Sequence, residues 1–322
     1  MTDSPRAVLA LDLGGTQIRS AAVLANGSLL GRASALTPLG RGPEPIYRAC
    51  AALLDSVRAS LPGPIASAIS AAGVSSMGPV DSRRGLVVDP PNVPDLRDAP
   101  LAAELERRLQ LPVYLERDTN VAALGEHWRG AARGCRDFLY VTVSTGLGGA
   151  IFRDGRLMLG PDGMAGELGH FTLEIDGPKC GCGGRGHLEA ISSGSGLASQ
   201  AQARAAESDF LTTRARLGRL TGKDVAEGEL SGDETCRDLM ARARRAFAIA
   251  CVGWVDAFDP ERIVVGGTLA ERQGDRLLGP ARDEVARTAF RAPASRVQIL
   301  PAELGEDVGL VGAWPLVADR QR

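Results

Sequence analysis

The chain has 322 residues, with 44% hydrophobic and 24% charged side chains and a formal net charge of −2. That length holds one large or two ordinary domains with a sizeable core, and that composition excludes a disordered chain. The small net charge removes the electrostatic reason to expect a nucleic-acid partner. The longest apolar runs, Ala7–Leu13 interrupted by Asp12 and Phe247–Val255 closed by Asp256, are too short to span a membrane.

The opening MTDSPRAV lacks the zones of a signal peptide, so the cytoplasm is the expected location and the six cysteines are expected to stay reduced. In AVLALDLGGTQIRSAAVLANGSLLG an apolar run, a glycine turn, a second run and Asn26-Gly27 follow one another. Asn-Gly and Asp-Gly suit two-residue hairpin turns, whose two positions both need positive φ. Helical periodicity follows at Glu44–Ser60 and Ala99–Gln110, a β-rich run at Val113–Glu116 and another helix at Asn120–Ala132. DFLYVTVSTGLGGAIFRDGRLMLG then repeats the first grammar, with Asp154-Gly155 at its hairpin. Helices are expected at Ser195–Glu207 and Glu234–Phe258, with a short helix between loops in the polar Leu211–Gly232. Strands at Ile263–Val265 and Arg296–Leu300, and a helix from Glu306 to about Ala318, complete the chain. Cys50, Cys135, Cys236 and Cys251 lie singly in apolar text and read as packing groups.

The repeated grammar predicts a duplicated α/β fold with two lobes. The boundary is expected near Leu115: residues 1–115 with 306–322 as a smaller lobe, and 116–305 as a larger one carrying the Cys/His loop.

Three groups of residues carry chemistry. In DLGGTQ, Asp12 ends a strand, Gly14 and Gly15 let the backbone approach a bulky anion, and Thr16 adds a hydroxyl; Ser144, Thr145, Gly146, Gly148 and Gly149 repeat this in STGLGG. One such turn is an ordinary hairpin. Two, each with hydroxyls beside the glycines, favour a nucleotide phosphate clamp that is not the G-x-x-x-x-G-K-[ST] loop. A third turn, Gly266-Gly267 in IVVGGTLA, says by itself only that a strand ends. In LERDTNVAALGE, Asp118 stands between a β-rich run and a helix, where it either caps that helix or takes a proton from a substrate hydroxyl; spacing leaves both open. Finally, His170, Cys180, Cys182 and His187 offer four ligands of the kind tetrahedral Zn²⁺ takes. A redox pair is more usually CxxC, and four protein ligands leave no open position, so the site reads as structural.

LDLGGT, PPNVP, DTNVAALGE, STGLGG, GELGH, CGCGGRGHLEA and VVGGT, in that order, give the chain a resemblance to the ROK group (repressors, open reading frames and sugar kinases) over essentially its whole length. The resemblance implies an actin-like, two-lobed fold (ribonuclease H-like and duplicated) and an ATP-dependent sugar kinase, commonly a glucokinase and commonly a dimer or tetramer. It implies that Asp118 is the base for the sugar's 6-hydroxyl, that Asn92, Glu167, His170 and Glu189 hydrogen-bond the ring, and that Gly78 contributes a backbone contact. Asp12, Gly14, Gly15, Thr16, Gln17, Thr145, Gly146 and Gly148 match the phosphate and Mg²⁺ region, Gly266 and Gly267 the turn near adenine, and Cys180 and Cys182 zinc ligands. His170 serves two roles, one ring nitrogen on the metal and the other toward the sugar.

Four positions depart from the family pattern. Arg117 stands where the family has an asparagine on the sugar's 3- or 4-hydroxyl, and Gln17 where a lysine usually follows the threonine. PNVPDL lacks the usual Gly-Trp, and His187 replaces a third cysteine while keeping four ligands. A sugar-responsive regulator is disfavoured, because twelve residues to Asp12 leave no room for a winged helix-turn-helix. A catalytically silent sugar-binding protein rests on Arg117 and is opposed by the retention of Asp118.

Overall fold

The computed structural model describes residues 6–321. They separate into two compact units: the first comprises the chain up to Gly134, residues 159–165 and the chain from Glu303, and the second comprises residues 135–158 and 166–302.

The first unit is built on a five-stranded sheet. Its strands are β1 (Ala7–Leu13), β2 (Gln17–Leu24), β3 (Leu29–Leu36) and β4 (Ile69–Ser76); after a small hairpin of β5 (Val80–Asp81) and β6 (Leu86–Val87) comes β7 (Val113–Arg117). The spatial order is β3-β2-β1-β4-β7, antiparallel at the hairpin-linked pairs and parallel across β1-β4-β7. β1 is apolar on both faces because both are covered. Leu9, Leu11 and Leu13 pack with Ile46, Cys50 and Leu54 of α1 (Pro43–Ser60), which starts on a proline that has no helical hydrogen bond to lose. Val8 and Ala10 pack with Leu310, Ala313 and Val317 near the C-terminus. Alternation puts Asp12 on that second face.

The unit also contains α2 (Gly63–Ser67), α3 (Leu101–Leu109) and α4 (Asp118–Arg129). The division after Gly134 lies beyond the boundary expected near Leu115, and the two units are close in size. The reason is packing: α4 lies against the helices Val308–Val311 and Ala313–Arg320, and Trp128 stacks on Trp314 with ring centroids 4.5 Å apart and planes 7° apart. Glu126, fully buried, strengthens this bond. Its carboxylate accepts the backbone N–H groups of Ala131 (2.7 Å), Glu303 (3.1 Å) and Leu304 (2.9 Å).

The second unit repeats the plan. β8 (Phe138–Val143), β9 (Leu147–Arg153), β10 (Arg156–Leu157), β11 (Arg262–Gly266) and β12 (Gln298–Pro301) lie in the order β10-β9-β8-β11-β12 with the same parallel and antiparallel pattern. The duplication read from the sequence is therefore present strand for strand. Behind this sheet runs the helix Glu234–Phe258, as expected from its periodicity, burying Phe247, Cys251 and Trp254 against Val141, Ile263 and Val265. Asp233 caps it by accepting the Cys236 N–H at 2.8 Å, and Asp259 ends it in a left-handed conformation just before Pro260.

Local expectations differ at three places. Asp154 and Gly155 both have positive φ and make the expected two-residue hairpin, whereas at the first hairpin only Gly27 does. There Leu24 bonds to Ser28 across Ala25-Asn26-Gly27, a longer turn that needs a single left-handed residue. Leu211–Gly232 holds two helices rather than one, Asp209–Leu217 and Gly222–Ser231, the second opened by a reciprocal cap between Thr221 and Asp224. The closing helix is divided at Gly312, whose position against the Val121 carbonyl leaves no space for a Cβ.

The four singly placed cysteines are buried. Burial pushes the thiols of Cys50 and Cys236 up to about 12, with Asp233 adding to the effect at Cys236, so these groups stay protonated and inert.

Candidate active site

In the first unit the parallel strands end together. Leu13, Ser76 and Arg117 are register partners across β1, β4 and β7, so the residues just before and after them share one edge of the sheet. The C-terminal edge of parallel strands is where α/β proteins place ligands. Asp12, the DLGGTQ turn, Gly78 and Asp118 all lie along it.

Asp12 is held from three sides. Arg19, directly opposite on β2, donates to Oδ2 at 2.5 Å, and the Ser75 hydroxyl donates to Oδ1 at 3.0 Å. On the third side is Gly309, where a Cβ would lie 2.8 Å from the Asp12 carboxyl carbon. The turn that follows is tied by Gly14 N–H to the Gln17 carbonyl (3.0 Å) and by the Thr37 hydroxyl to the Gly14 carbonyl (2.7 Å), leaving Thr16 and Gln17 exposed. Asn92, also exposed, is next to this turn: a Cβ at Gly15 would be 3.6 Å from that of Asn92.

Asp118 is exposed at the first turn of α4, and its Oδ1 accepts the N–H of Thr119 at 2.7 Å. Arg117, not Asp118 or Asn120, occupies the cap position, and no side chain caps the helix there. Asn120 points back instead, donating to Glu116 Oε1 at 2.9 Å. Glu116 is 2% exposed, and it also accepts the Arg117 N–H at 2.9 Å and Arg320 Nη2 at 3.3 Å. It locks the strand-to-helix turn that presents Asp118. Sequence reading passed over it; the available signal was a charged residue inside a β-rich run, four residues before an asparagine.

Arg117 is buried. Its Nη2 donates to the Ala165 carbonyl at 2.7 Å and reaches Asn120 Oδ1 at 3.4 Å, and its stem passes so close to Gly78 that a Cβ there would be 3.0 Å from Arg117 Cδ. This side chain thus ties residues 159–165 to the start of α4.

In the second unit the STGLGG turn joins β8 to β9. The N–H groups of Gly194 and Ser195 donate to the carbonyls of Ser144 and Thr145, both at 2.8 Å, and the Leu147 N–H donates to Glu189 Oε2 at 3.0 Å. Thr145 is exposed. Gly266 pairs with Thr142, so the third glycine turn follows the strand next to β8 and lies beside the second. A Cβ at Gly267 would be 2.6 Å from the Val143 carbonyl oxygen.

The four Cys/His side chains converge: ligand atoms of His170, Cys180, Cys182 and His187 all lie within 4.8 Å of one another. His170 Nδ1 is 3.7 Å from Cys180 Sγ, and His187 Nδ1 is 3.3 Å from Cys182 Sγ. Tetrahedral Zn²⁺ with bonds of about 2.3 Å to sulfur and 2.0–2.1 Å to nitrogen separates such atoms by about 3.6 Å. The donor set and its spacing fit zinc. The loop is shaped for this by Cys180 N–H to Gly184 carbonyl (2.9 Å) and Gly186 N–H to Pro178 carbonyl (2.8 Å); a Cβ at Gly184 would collide with the His187 ring. Burial pushes the Cys180 thiol up to about 11, with Cys182 and Glu189 contributing.

Two carboxylates flank the cluster. Glu189 Oε1 is 3.6 Å from Cys180 Sγ while its other oxygen holds Leu147, so one side chain joins the Cys/His loop to the STGLGG turn. Glu167 Oε2 is 3.6 Å from His170 Nε2, the ring nitrogen turned away from Cys180.

Known proteins resemble the whole chain. The ROK family profile matches residues 8–320. A glucokinase of Thermotoga maritima is 31% identical over 316 residues, covering 97% of this chain and 98% of that protein. An N-acetylmannosamine kinase of Escherichia fergusonii is 32% identical over 306 residues, covering 95% and 96%. The crystal structure of a ROK family glucokinase from Streptomyces griseus in complex with glucose and AMPPNP superposes with a TM-score of 0.78 at 32% identity, covering 96% of this chain and 98% of that one.

Proposed function

Because this chain belongs to the ROK family, we propose that it is a hexose kinase, transferring the γ-phosphoryl group of ATP to the 6-hydroxyl of a hexose, with glucose the first candidate. The observation that carries the reading is the exposed Asp118 at the C-terminal end of β7, two strands from Asp12 on the same sheet edge. In this reading Asp118 takes the hydroxyl proton, a role that contributes about 10²–10⁴ in rate. Asn92, Glu167, His170 and Glu189 are assigned to hydrogen bonds with the sugar, and Gly78 and Arg117 to the same substrate. Asp12, Gly14, Gly15, Thr16, Gln17, Thr145, Gly146 and Gly148 receive the phosphates, and Gly266 and Gly267 lie near adenine.

Phosphoryl transfer asks mainly for positioning and charge stabilisation, and Mg²⁺ bound with the nucleotide supplies the latter. A zinc ion on His170, Cys180, Cys182 and His187 is assigned a structural role, since four protein ligands leave no open position. It would hold Glu167 and Glu189 in place through the loop that carries them. The protein is taken to act in the cytoplasm as a homo-oligomer; among the described residues no helix is long and apolar enough to cross a membrane.

A second sugar is favoured by a specific finding. N-acetylmannosamine kinases match this chain as well as glucokinases do, at 32% against 31–33% identity. An N-acetylhexosamine is therefore the alternative substrate. Purified protein given Mg-ATP and a panel of aldohexoses, ketohexoses and N-acetylhexosamines is expected to release ADP with one of them, glucose first. No turnover with any member overturns the assignment.

A further inference from the structure

The phosphate-facing end of the first unit contains an ion pair that the proposed chemistry has to open. Asp12 keeps only 16% of its side chain exposed, and among the described residues the cation bonded to it is Arg19, at 2.5 Å and itself 31% exposed. The two residues are direct register partners on β1 and β2, so backbone hydrogen bonding fixes their approach. Arg19 shares a strand face with Gln17, two residues away, which is exposed beside the glycine turn. Arg32 is bonded to Asp307 through two contacts of 2.6 Å, and Asp307 also feels the charge of Arg19. Arg19 is thus the guanidinium bonded to the carboxylate that precedes the turn. Its fork of donors suits carboxylate and phosphate oxygens equally.

A carboxylate neutralised by an arginine is a poor ligand for a free divalent cation, because the metal has to approach a positive charge in a partly buried site. A magnesium nucleotide is different: it brings its own anionic oxygens, to which the guanidinium can transfer. We propose that Arg19 is a stand-in cation, neutralising Asp12 until the nucleotide arrives and then moving from the carboxylate to a phosphate oxygen. This inference rests on the kinase reading, and specifically on Asp12 belonging to the phosphate and Mg²⁺ region. It makes Asp12 receptive to metal only when metal and phosphate come together.

The test separates two affinities that a merely structural arginine would lower together. Arg19→Gln and Arg19→Lys are compared with the unaltered chain, using Mn²⁺ alone followed by electron paramagnetic resonance, and Mg-AMPPNP followed by calorimetry. Arg19→Gln is expected to bind free Mn²⁺ more tightly and Mg-AMPPNP more weakly, the latter by about ten- to a hundredfold for one charge-assisted contact. Arg19→Lys is expected to stay close to the unaltered chain in both, and the melting temperatures to agree. If Arg19→Gln leaves both affinities unchanged, or weakens both, the proposal is overturned while nucleotide binding by the unaltered chain keeps the kinase reading standing. If the unaltered chain binds no magnesium nucleotide, both fall.

Discussion

The two units have one sheet plan and two kinds of strand end. In the first, a carboxylate stands near the end of β1 (Asp12) and another just after β7 (Asp118), with Arg19 and Ser75 around Asp12 and Glu116 behind the turn that presents Asp118. In the second, β8 and β11 end in glycines and hydroxyls, and the carboxylate beside them, Glu189, comes from the Cys/His loop. Duplication therefore conserved where the backbone turns and let the chemistry diverge. One unit places carboxylates along its sheet edge; the other places a glycine turn beside a loop that carries four clustered Cys/His side chains. Small elements without a core are where a metal substitutes for packing.

The sharpest way to break this comparison is to remove charge where it is said to act. Asp118→Asn keeps the shape and can still accept the Thr119 N–H, but no longer takes a proton. Turnover is expected to fall by on the order of 10²–10⁴ while sugar affinity, measured by calorimetry, changes little. A variant within a few-fold of the original rate would return Asp118 to the role of an ordinary first-turn residue.

The legibility of the sequence follows the same division. Features whose partners are near in sequence were readable: both glycine turns, the helix Glu234–Phe258 with Asp233 before it, and the convergence of the four Cys/His side chains within an eighteen-residue stretch from His170 to His187. Features made by distant partners were not. Glu126 reads as one more acid on an amphipathic helix until Glu303 and Leu304 are brought to it from 177 and 178 residues away. The unit boundary was placed too early for the same reason, since what binds α4 to the first unit arrives at the end of the chain. Arg117 shows the limit most plainly. The family resemblance marks it as unusual at its position, but only the fold shows that its guanidinium donates to Ala165 and reaches Asn120.

The second prediction tests the Cys/His loop. Metal analysis is expected to find about one Zn²⁺ per chain. Cys180→Ser, or chelation, is expected to cut turnover more than tenfold through loss of Glu167 and Glu189 as positioned groups, while the first unit stays folded. Hydrogen exchange should show this as lost protection confined to residues 166–190 and the turn at 144–149. Equal loss across both units would make the loop a global staple, and a zinc-free chain with full activity would remove the metal altogether.

The smallest effect is expected at Glu126, and it asks whether the first unit relies on side-chain charge for its integrity as it does for its chemistry. The carboxylate accepts three backbone N–H groups in a fully buried position, so each of its oxygens faces donors. Glu126→Gln keeps the volume but turns one of those oxygens into an NH₂ group, which sets donor against donor and leaves a backbone N–H unmatched. Hydrogen bonds to a charged group are worth about 1.5–3 kcal/mol each, and an unsatisfied buried donor costs about 1–3 kcal/mol. A loss of about 2–3 kcal/mol in the first unit's stability should therefore appear in denaturant unfolding, with the second unit's transition unmoved. Because Ala131 and Glu303 flank the places where the chain leaves and re-enters the first unit, the loss has a location as well as a size. If Glu126→Gln instead leaves unfolding unchanged, the packing of α4 against Gly312, Ala313 and Trp314 is sufficient by itself, and side-chain charge in the first unit serves its chemistry alone.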